Sequence, residues 1–300
     1  MFRGALVLLL ASQTLYKWVG RDGQLHFGDD PSKAPKGARV ETTDGVPLTV
    51  MTGDAPAPAP TPSTKSSSTS KPEARSGPVT VTIAEAPADL SADDRAYVEK
   101  SLTAAASSPR LATWGGLKQS VRVDIVDQAK MNSRGSCDGT SAFGLAMGLD
   151  HVFLLAPSSA GLHTLPLPYE KTALHELGHI LEHQWASDSR PRWFAEGFAN
   201  YVSDFEGYAT QLQVAHWVVN EGGPLPLDRA FSGGANTLLA YTIATAAVRF
   251  FIEQFGEDGV QRLFALRRGG ARFDAAFEKA TGRTVLEFQK LFTQHLSKQL

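Results

Sequence analysis

The sequence predicts an α+β fold in which a small mixed sheet precedes a mainly helical C-terminal half. Short β-branched or apolar runs lie upstream of residue 156, and a series of segments with helical periodicity fills the chain after it. A third observation is a pair of short alternating runs near the N-terminus with Asp-Gly between them, which predicts a small additional β-hairpin module.

The first residues have the pattern of an export signal. Arg3 supplies a positive charge ahead of the apolar run 5–11, which is too short to span a bilayer as a stable anchor. We therefore expect a signal peptide at residues 1–14 and an exported protein, periplasmic or secreted; an apolar first strand of the next module is the alternative. The single cysteine, Cys137, excludes an intrachain disulfide framework and is interpreted as an incidental loop thiol.

A small β-rich module is expected at residues 15–53. The runs 16–19 and 24–27 flank the Asp-Gly pair, which is a strong hairpin pattern. The pattern Y-K-W-V-x-x-D-G-x-x-H-F-x-D-x-P resembles a small module of unknown function that follows the signal peptide in many exported bacterial proteins. Its aromatic residues are either a binding face or the only core that so small a hairpin has.

A disordered linker is expected between this module and the main domain. Residues 54–78 are almost all Pro, Ala, Ser, Thr and Lys, and they bury too little apolar surface to offset the loss of chain entropy. In the domain at 79–300, strands are expected at 79–83, 121–126, 143–146 and 152–155. Helices are expected from Ser91, as N-cap, to about residue 106, and then at 169–185, 191–205, 207–220, 236–255, 257–267, 271–280 and 284–298.

The charge balance argues against a nucleic-acid partner. The chain has 29 Lys and Arg residues against 31 Asp and Glu residues, a formal net charge of −2. It contains no basic stripe with interleaved aromatic residues, so we expect no nucleic acid to bind. Apart from the N-terminal run, no stretch of the sequence approaches transmembrane length, so no stable membrane span is expected.

The most informative motif is the run His175-Glu176-Leu177-Gly178-His179, which lies in a segment of helical character. Residues four apart on a helix share one face, so both imidazoles project from the same side. Two neutral imidazoles at this spacing can bind one Zn²⁺ ion with bonds of about 2.0–2.1 Å. Glu176 is then placed to accept a proton from water at the open position of the metal.

A second helical segment supplies the third candidate ligand. It begins after Pro191 and contains Glu196, which its apolar neighbours should turn toward the imidazoles. Two histidines and one carboxylate leave a fourth position open for water, as in hydrolytic zinc sites. Asn200 is a candidate acceptor for the N–H of a ligand imidazole. His183 lies about 12 Å along the axis from the first histidine of the motif, so we expect a surface or packing residue rather than a ligand.

The motif H-E-x-x-H followed by W-F-A-E-G-F-A-N-Y resembles the gluzincin metallopeptidases, and more closely their bacterial peptidase-MA-like branch. The resemblance implies a zincin-like fold. By matching position it implies the zinc ligands His175, His179 and Glu196, with Glu176 as general base. It covers roughly the last half of the chain, including A-Y at 240–241, Q-F-G-E at 254–257, A-A-F at 275–277 and T-G at 281–282.

The resemblance also implies an oxyanion donor and a substrate strand. Such families often place a tyrosine on the helix after the glutamate helix, and Tyr241 takes that place; plain helix packing is the alternative. They commonly pair the substrate with an edge strand upstream of the zinc helix, and His151–Leu155 is expected to be that strand. Two departures are that Asn200 stands where thermolysin-like proteins have aspartate, and that the segment 180–195 is slightly shorter than in related aminopeptidases.

The sequence therefore predicts an exported zinc metallopeptidase that binds one Zn²⁺ ion and hydrolyses peptide or protein substrates. Two alternatives remain open. One is a catalytically inactive, peptidase-like binding or scaffold protein of the cell envelope. The other is a zinc hydrolase that acts on a non-peptide amide or ester, which the same chemistry permits.

Overall fold

The computed structural model describes residues 79–134, 143–157, 168–185, 190–207 and 209–300, together with the backbone of three N-terminal strands. The chain divides into two compact units, Met1–Asp54 and Ala55–Leu300. Several predicted features lie outside the described residues, namely the signal peptide at 1–14, the linker at 54–78 and Cys137.

The first unit contains a three-stranded antiparallel sheet. Its strands are β1 (Leu15–Val19), β2 (Leu25–Gly28) and β3 (Val40–Thr43), in the order β2-β1-β3. Tyr16 pairs with Gly28 and Val19 with Leu25, which is the hairpin that the Asp-Gly pair predicts. The third strand was not predicted, because V-E-T-T is only four residues long.

The second unit is an α+β structure built on a four-stranded mixed sheet. Its strands are β4 (Val81–Glu85), β5 (Val121–Val126), β6 (Gly144–Met147) and β7 (His151–Leu155), in the order β4-β5-β7-β6. β4, β5 and β7 are parallel, and β6 runs antiparallel to β7. The two central strands are buried along most of their length, as their runs of Val, Ile, Leu and Phe predict.

The expectation that His151–Leu155 is an edge strand is wrong. β7 lies between β5 and β6, and β6 forms the edge of the sheet. β6 and β7 are the two strands of one hairpin, joined by the turn at 148–150. Sequence order does not reveal which strand of a hairpin lies outside. The short G-L-A-M run of β6 is the outer strand, because it pairs, among the described strands, with β7 alone.

Helices make up most of the second unit after the sheet. They begin with α1 (Ala92–Ala106), which Ser91 caps by accepting a hydrogen bond from the backbone N–H of Asp94. The others are α2 (Pro109–Thr113), α3 (Gln128–Ser133), α4 (Tyr169–Trp185), α5 (Arg192–Val202), α6 (Gln211–Asn220), α7 (Pro226–Arg229) followed by a π-helical turn (Ala230–Gly234), α8 (Thr237–Arg268), α9 (Phe273–Thr281) and α10 (Val285–Ser297).

Helix α8 is bent at a glycine. Gly256 has φ +70°, a conformation that L-residues rarely adopt, so α8 consists of two helical parts that meet where the sequence predicted a break. The expectation that no stretch approaches transmembrane length does not hold for length and composition, since α8 is the one helix of the described residues that is long and apolar enough to cross a membrane. Half of its apolar window is buried, and Ile243, Ala247 and Phe251 belong to the main hydrophobic core.

Two glycines allow α5 to lie close to both of its neighbours. A Cβ atom at Gly178 of α4 would lie 3.1 Å from the Cα of Ala199 in α5. A Cβ atom at Gly197 of α5 would collide with the carbonyl oxygen of Ala244 in α8. α5 therefore packs tightly between α4 and α8, with buried Phe194 and Phe198 directed into an aromatic core. This packing sets the distance between the two helices that carry the candidate ligands.

Candidate metal centre

Three side chains from two helices converge on one point. His175 and His179 lie on α4 and Glu196 on α5, and they are the residues that the sequence indicated as ligands. The Nε2 atoms of the two imidazoles are 3.1 Å apart. Oε2 of Glu196 is 3.5 Å from Nε2 of His175 and 3.3 Å from Nε2 of His179. Within the described part of the chain, no other group of three or more potential ligand residues comes together in this way.

The spacing of these three atoms fits a tetrahedral ion. Zinc bonds of about 2.0–2.2 Å at tetrahedral angles place neighbouring ligand atoms about 3.3–3.6 Å apart. The observed separations of 3.1, 3.3 and 3.5 Å are close to that range. Two imidazole nitrogens and one carboxylate oxygen are also the donor set that suits zinc. The cluster could therefore hold one zinc ion and leave a fourth position open.

The local sequence explains why Glu196 faces the imidazoles. On α5, Trp193, Phe194 and Phe198 are almost fully buried in the aromatic core. Their burial fixes the rotation of the helix, and Glu196 then lies on the side that faces α4. The side chain of Glu196 is 14 % exposed, so its carboxylate is largely removed from water.

The charges of the cluster stabilise one another. Burial by itself would raise the pKa of Glu196, but hydrogen bonds and positive charge from His175 and His179 outweigh it and hold that pKa well below its usual value. Burial would lower the pKa of His179, yet the hydrogen bond and charge of Glu196 and the charge of Glu176 raise it. The pocket thus favours positive charge beside an ionised carboxylate, which is the field that a divalent cation needs.

Glu176 lies between the cluster and the edge of the sheet. It is 6 % exposed, and burial raises its pKa; the charge of Glu196 acts in the same direction, whereas the two imidazoles oppose it. The backbone N–H of Ala146 in β6 donates a hydrogen bond to its carboxylate. A Cβ atom at Gly144 would lie 2.5 Å from its Oε1. The predicted general base is therefore held directly against the edge strand.

The structure also brings Tyr241 to the cluster. This residue is half-buried on α8, and its ring packs edge-on against Phe231 at 5.7 Å between centroids. Burial raises the pKa of the Tyr241 hydroxyl, and the charge of Glu196 adds to the effect. Arg192 lowers the pKa of Tyr241 through its charge and a side-chain hydrogen bond. The hydroxyl is thus within electrostatic reach of the candidate ligand, although its role as an oxyanion donor stays a prediction.

Asn200 is buried behind the cluster. Its amide nitrogen donates a hydrogen bond to Oγ1 of Thr245 at 2.9 Å, and Oγ1 of Thr245 donates to the carbonyl oxygen of Tyr241 at 2.8 Å. This contact joins α5 to the helix that carries Tyr241. The expected contact between Asn200 and a ligand imidazole stays a prediction.

Two further polar residues, His183 and Gln184, lie at the end of α4. The sequence predicts His183 to be a surface or packing residue and gives no indication for Gln184. Nδ1 of His183 lies 2.6 Å from the carbonyl oxygen of Gly148, and Nε2 of Gln184 donates to the carbonyl oxygen of Leu149 at 2.7 Å. Both contacts hold the turn between β6 and β7, and so they hold the edge strand beside the cluster. No local pattern could reveal them, since both partners are backbone atoms some 35 positions away.

Comparison with known proteins adds one match, outside the metal cluster. Residues 5–96 match a family model described as a domain of unknown function, DUF4124. The matched stretch is under a third of the chain; it includes the N-terminal sheet, β4 and the start of α1. No curated protein matches the chain.

Proposed function

We propose that this chain is an exported, zinc-dependent peptidase of the gluzincin type with a zincin-like fold in its second unit. The observation that carries the proposal is the convergence of Nε2 of His175, Nε2 of His179 and Oε2 of Glu196 within 3.1–3.5 Å of one another. Glu176 lies beside them, and all four residue types are those that zinc hydrolysis needs. Export rests on the sequence pattern of residues 1–14.

The ion would be held by His175, His179 and Glu196. When bound, zinc supplies a Lewis acid that polarises a carbonyl group and lowers the pKa of water to about 7. Glu176 accepts the proton of the attacking water and later passes it to the leaving amine. A buried carboxylate with a raised pKa suits both steps, because it can exchange a proton closer to neutral pH than an exposed glutamate can.

The edge strand is suited to bind an extended peptide. The backbone N–H of Leu155 in β7 donates to the carbonyl oxygen of Phe143, just before β6. The odd-numbered residues of β6 therefore direct their backbone N–H and C=O groups toward β7. Gly144 and Ala146 direct their backbone N–H and C=O groups away from the sheet. The N–H of Ala146 donates a hydrogen bond to the carboxylate of Glu176. A substrate backbone that pairs with the remaining outward groups would lie alongside the general base. β6 thus takes the role that the sequence suggested for β7.

Tyr241 is proposed to stabilise the negative charge that develops on the carbonyl oxygen. The charge of Glu196 acts on its hydroxyl, and Arg192 contacts that hydroxyl through a side-chain hydrogen bond. A well-placed donor of this kind contributes about 2.7–4 kcal/mol to transition-state stabilisation. The substrate is a peptide or protein, and the charge balance argues against a nucleic acid.

The test is the pair of variants Glu176→Gln and Glu170→Gln. Glu170 is exposed on the first turn of the same helix and serves as the matched control. The full chain and the Glu170→Gln variant should cleave a mixture of denatured proteins, with loss of cleavage after chelation. Glu176→Gln should bind zinc as the full chain does and cleave nothing. Full activity of Glu176→Gln would refute this mechanism.

The two alternatives predict different results in the same assay. A binding or scaffold protein would bind zinc and cleave neither proteins nor small amides and esters. A non-peptide hydrolase would leave denatured proteins intact but turn over a panel of small amides and esters, again only without chelator.

A further inference from the structure

Arg192 stands where local helix chemistry disfavours a cation. It is the first residue of α5, at the positive end of the helix dipole. The N-cap residue, Pro191, makes no side-chain capping bond, and the first turn contains no acidic residue. A residue that violates a local rule is informative, because such violations concentrate at functional sites. Arg192 makes two contacts that offset its unfavourable interaction with the helix dipole.

The first contact is with the candidate ligand one turn along the helix. Nε of Arg192 lies 3.6 Å from Oε1 of Glu196, while Oε2 of the same carboxylate faces the two imidazoles. The carboxylate is thus held from both sides. The guanidinium lies beside one carboxylate oxygen, and the other oxygen faces the candidate metal position.

The second contact is with Tyr241, on a different helix. The guanidinium of Arg192 lies 5.1 Å from the ring centroid of Phe231, whose ring packs against Tyr241. Arg192 also forms a hydrogen bond with the Tyr241 hydroxyl. A guanidinium has donors only, so the phenol oxygen must be the acceptor, and the phenol O–H stays available to donate elsewhere.

We propose that Arg192 is a positioning residue that couples the metal-binding carboxylate of Glu196 to the hydroxyl of Tyr241. It directs one carboxylate oxygen toward the ion and leaves the phenol O–H to meet the charge that develops on the substrate. The inference rests on the proposed zinc site, and it adds a residue that links ligand and oxyanion donor. It also accounts for a basic residue at the start of α5.

Zinc affinity and a spectroscopic signature test the contact with Glu196. The dissociation constant is measured by competition with a chromophoric chelator, and Co²⁺ replaces zinc for the visible absorption spectrum. Arg192→Ala should weaken zinc binding about 10-fold or more and change the Co²⁺ spectrum, as loss of a partner behind a ligand does. Arg192→Lys should recover part of the affinity, because lysine keeps the charge without the planar fork.

Arg272→Ala is the matched control, since Arg272 is exposed and also stands at the start of a helix, α9. It should bind zinc as the full chain does. If Arg192→Ala proves unstable, Arg192→Gln replaces it with the same expected loss. Wild-type affinity and an unchanged Co²⁺ spectrum in a folded Arg192 variant would overturn the proposal.

A double-mutant cycle tests the contact with Tyr241. Tyr241→Phe should lower kcat with little change in KM, and it should cost less in the Arg192→Ala background than in the full chain. Additive effects would refute the coupling. The zinc measurement needs no turnover, so a chain that binds zinc but hydrolyses nothing would refute the proposed function while still deciding whether Arg192 orients Glu196.

Discussion

Gly144 lies so close to Glu176 that a Cβ atom on the glycine would be 2.5 Å from the carboxylate oxygen Oε1. The edge strand of the sheet and the proposed general base are thus in direct contact, and a hydrogen bond from the N–H of Ala146 reinforces it. No side chain other than hydrogen fits between them. This relationship links the strand that would bind substrate to the group that would activate water.

Gly144→Ala should therefore impair catalysis without emptying the metal site. The added methyl group must displace either Glu176 or β6, and a displacement of about 1 Å near the reacting atoms can cost about 100-fold in rate. We expect kcat/KM to fall by about that factor while zinc content stays at the level of the full chain. Metal analysis beside peptide kinetics measures both. Unchanged kinetics would show that the contact is not important for the reaction.

Gln184→Ala should loosen the edge strand from a distance. The side chain of Gln184 donates to the carbonyl oxygen of Leu149 at 2.7 Å and accepts from the backbone N–H of Lys118 at 2.5 Å. Its loss frees the turn between β6 and β7. We expect faster amide hydrogen exchange in that turn and a several-fold rise in KM, with normal zinc binding. Unchanged exchange at Leu149 would contradict this role.

Gly197→Ala should destabilise the whole second unit. Its Cβ atom would meet the carbonyl oxygen of Ala244 and lie 2.7 Å from Cγ2 of Val248, so α5 and α8 must move apart. Overpacking of this kind typically costs about 1–3 kcal/mol in the free energy of unfolding. Urea unfolding measures it. Leu212→Ala, at a side chain that is 60 % exposed, is the control and should change stability by about 0.5 kcal/mol or less.

Asp124 should make the protein sensitive to acid. It is 1 % exposed in β5 and accepts hydrogen bonds from Nε of Arg122 at 3.0 Å and Nε2 of His151 at 3.0 Å. Burial alone would raise the pKa of Asp124, but these bonds and charges outweigh it and lower the pKa. Because the folded pKa lies below the unfolded one, the stabilisation is present above about pH 3.9 and is lost as the pH falls through the folded value.

The variant Asp124→Asn isolates that contribution. It should lower the free energy of unfolding at pH 7 by about 1–3 kcal/mol and flatten its decline in acid. Chemical unfolding at a series of pH values between 7 and 3 measures the difference. Parallel stability curves for the variant and the full chain would show that Asp124 does not carry the acid sensitivity.

The features that the sequence predicted well are those set by nearby residues. Ser91 caps α1, Gly256 bends α8, and His175 and His179 share a face of α4 because helix geometry alone requires it. The position of Glu196 beside the imidazoles could be predicted because buried aromatic neighbours on its own helix fix its direction. In each case the deciding interactions lie within about one or two helical turns of the residue.

The features that the sequence could not predict depend on distant partners. The order of β6 and β7 in the sheet follows from which strand β5 pairs with, and hairpin sequence carries no signal for that choice. The contact of Arg192 with Tyr241 joins α5 to α8, and only its misplacement at a helix start could have marked it. The short helices α2 and α3 were missed because five or six residues give too little periodicity.

The metal content of the purified full chain tests the central claim most directly. Chain that has been freed of metal and dialysed against zinc should retain one zinc ion per molecule, and His179→Ala and Glu196→Ala should each lose it. His216→Ala, at an exposed histidine remote from the motif, should retain it. Absence of bound zinc in the full chain, or retention of the same zinc after His179→Ala, would contradict the account.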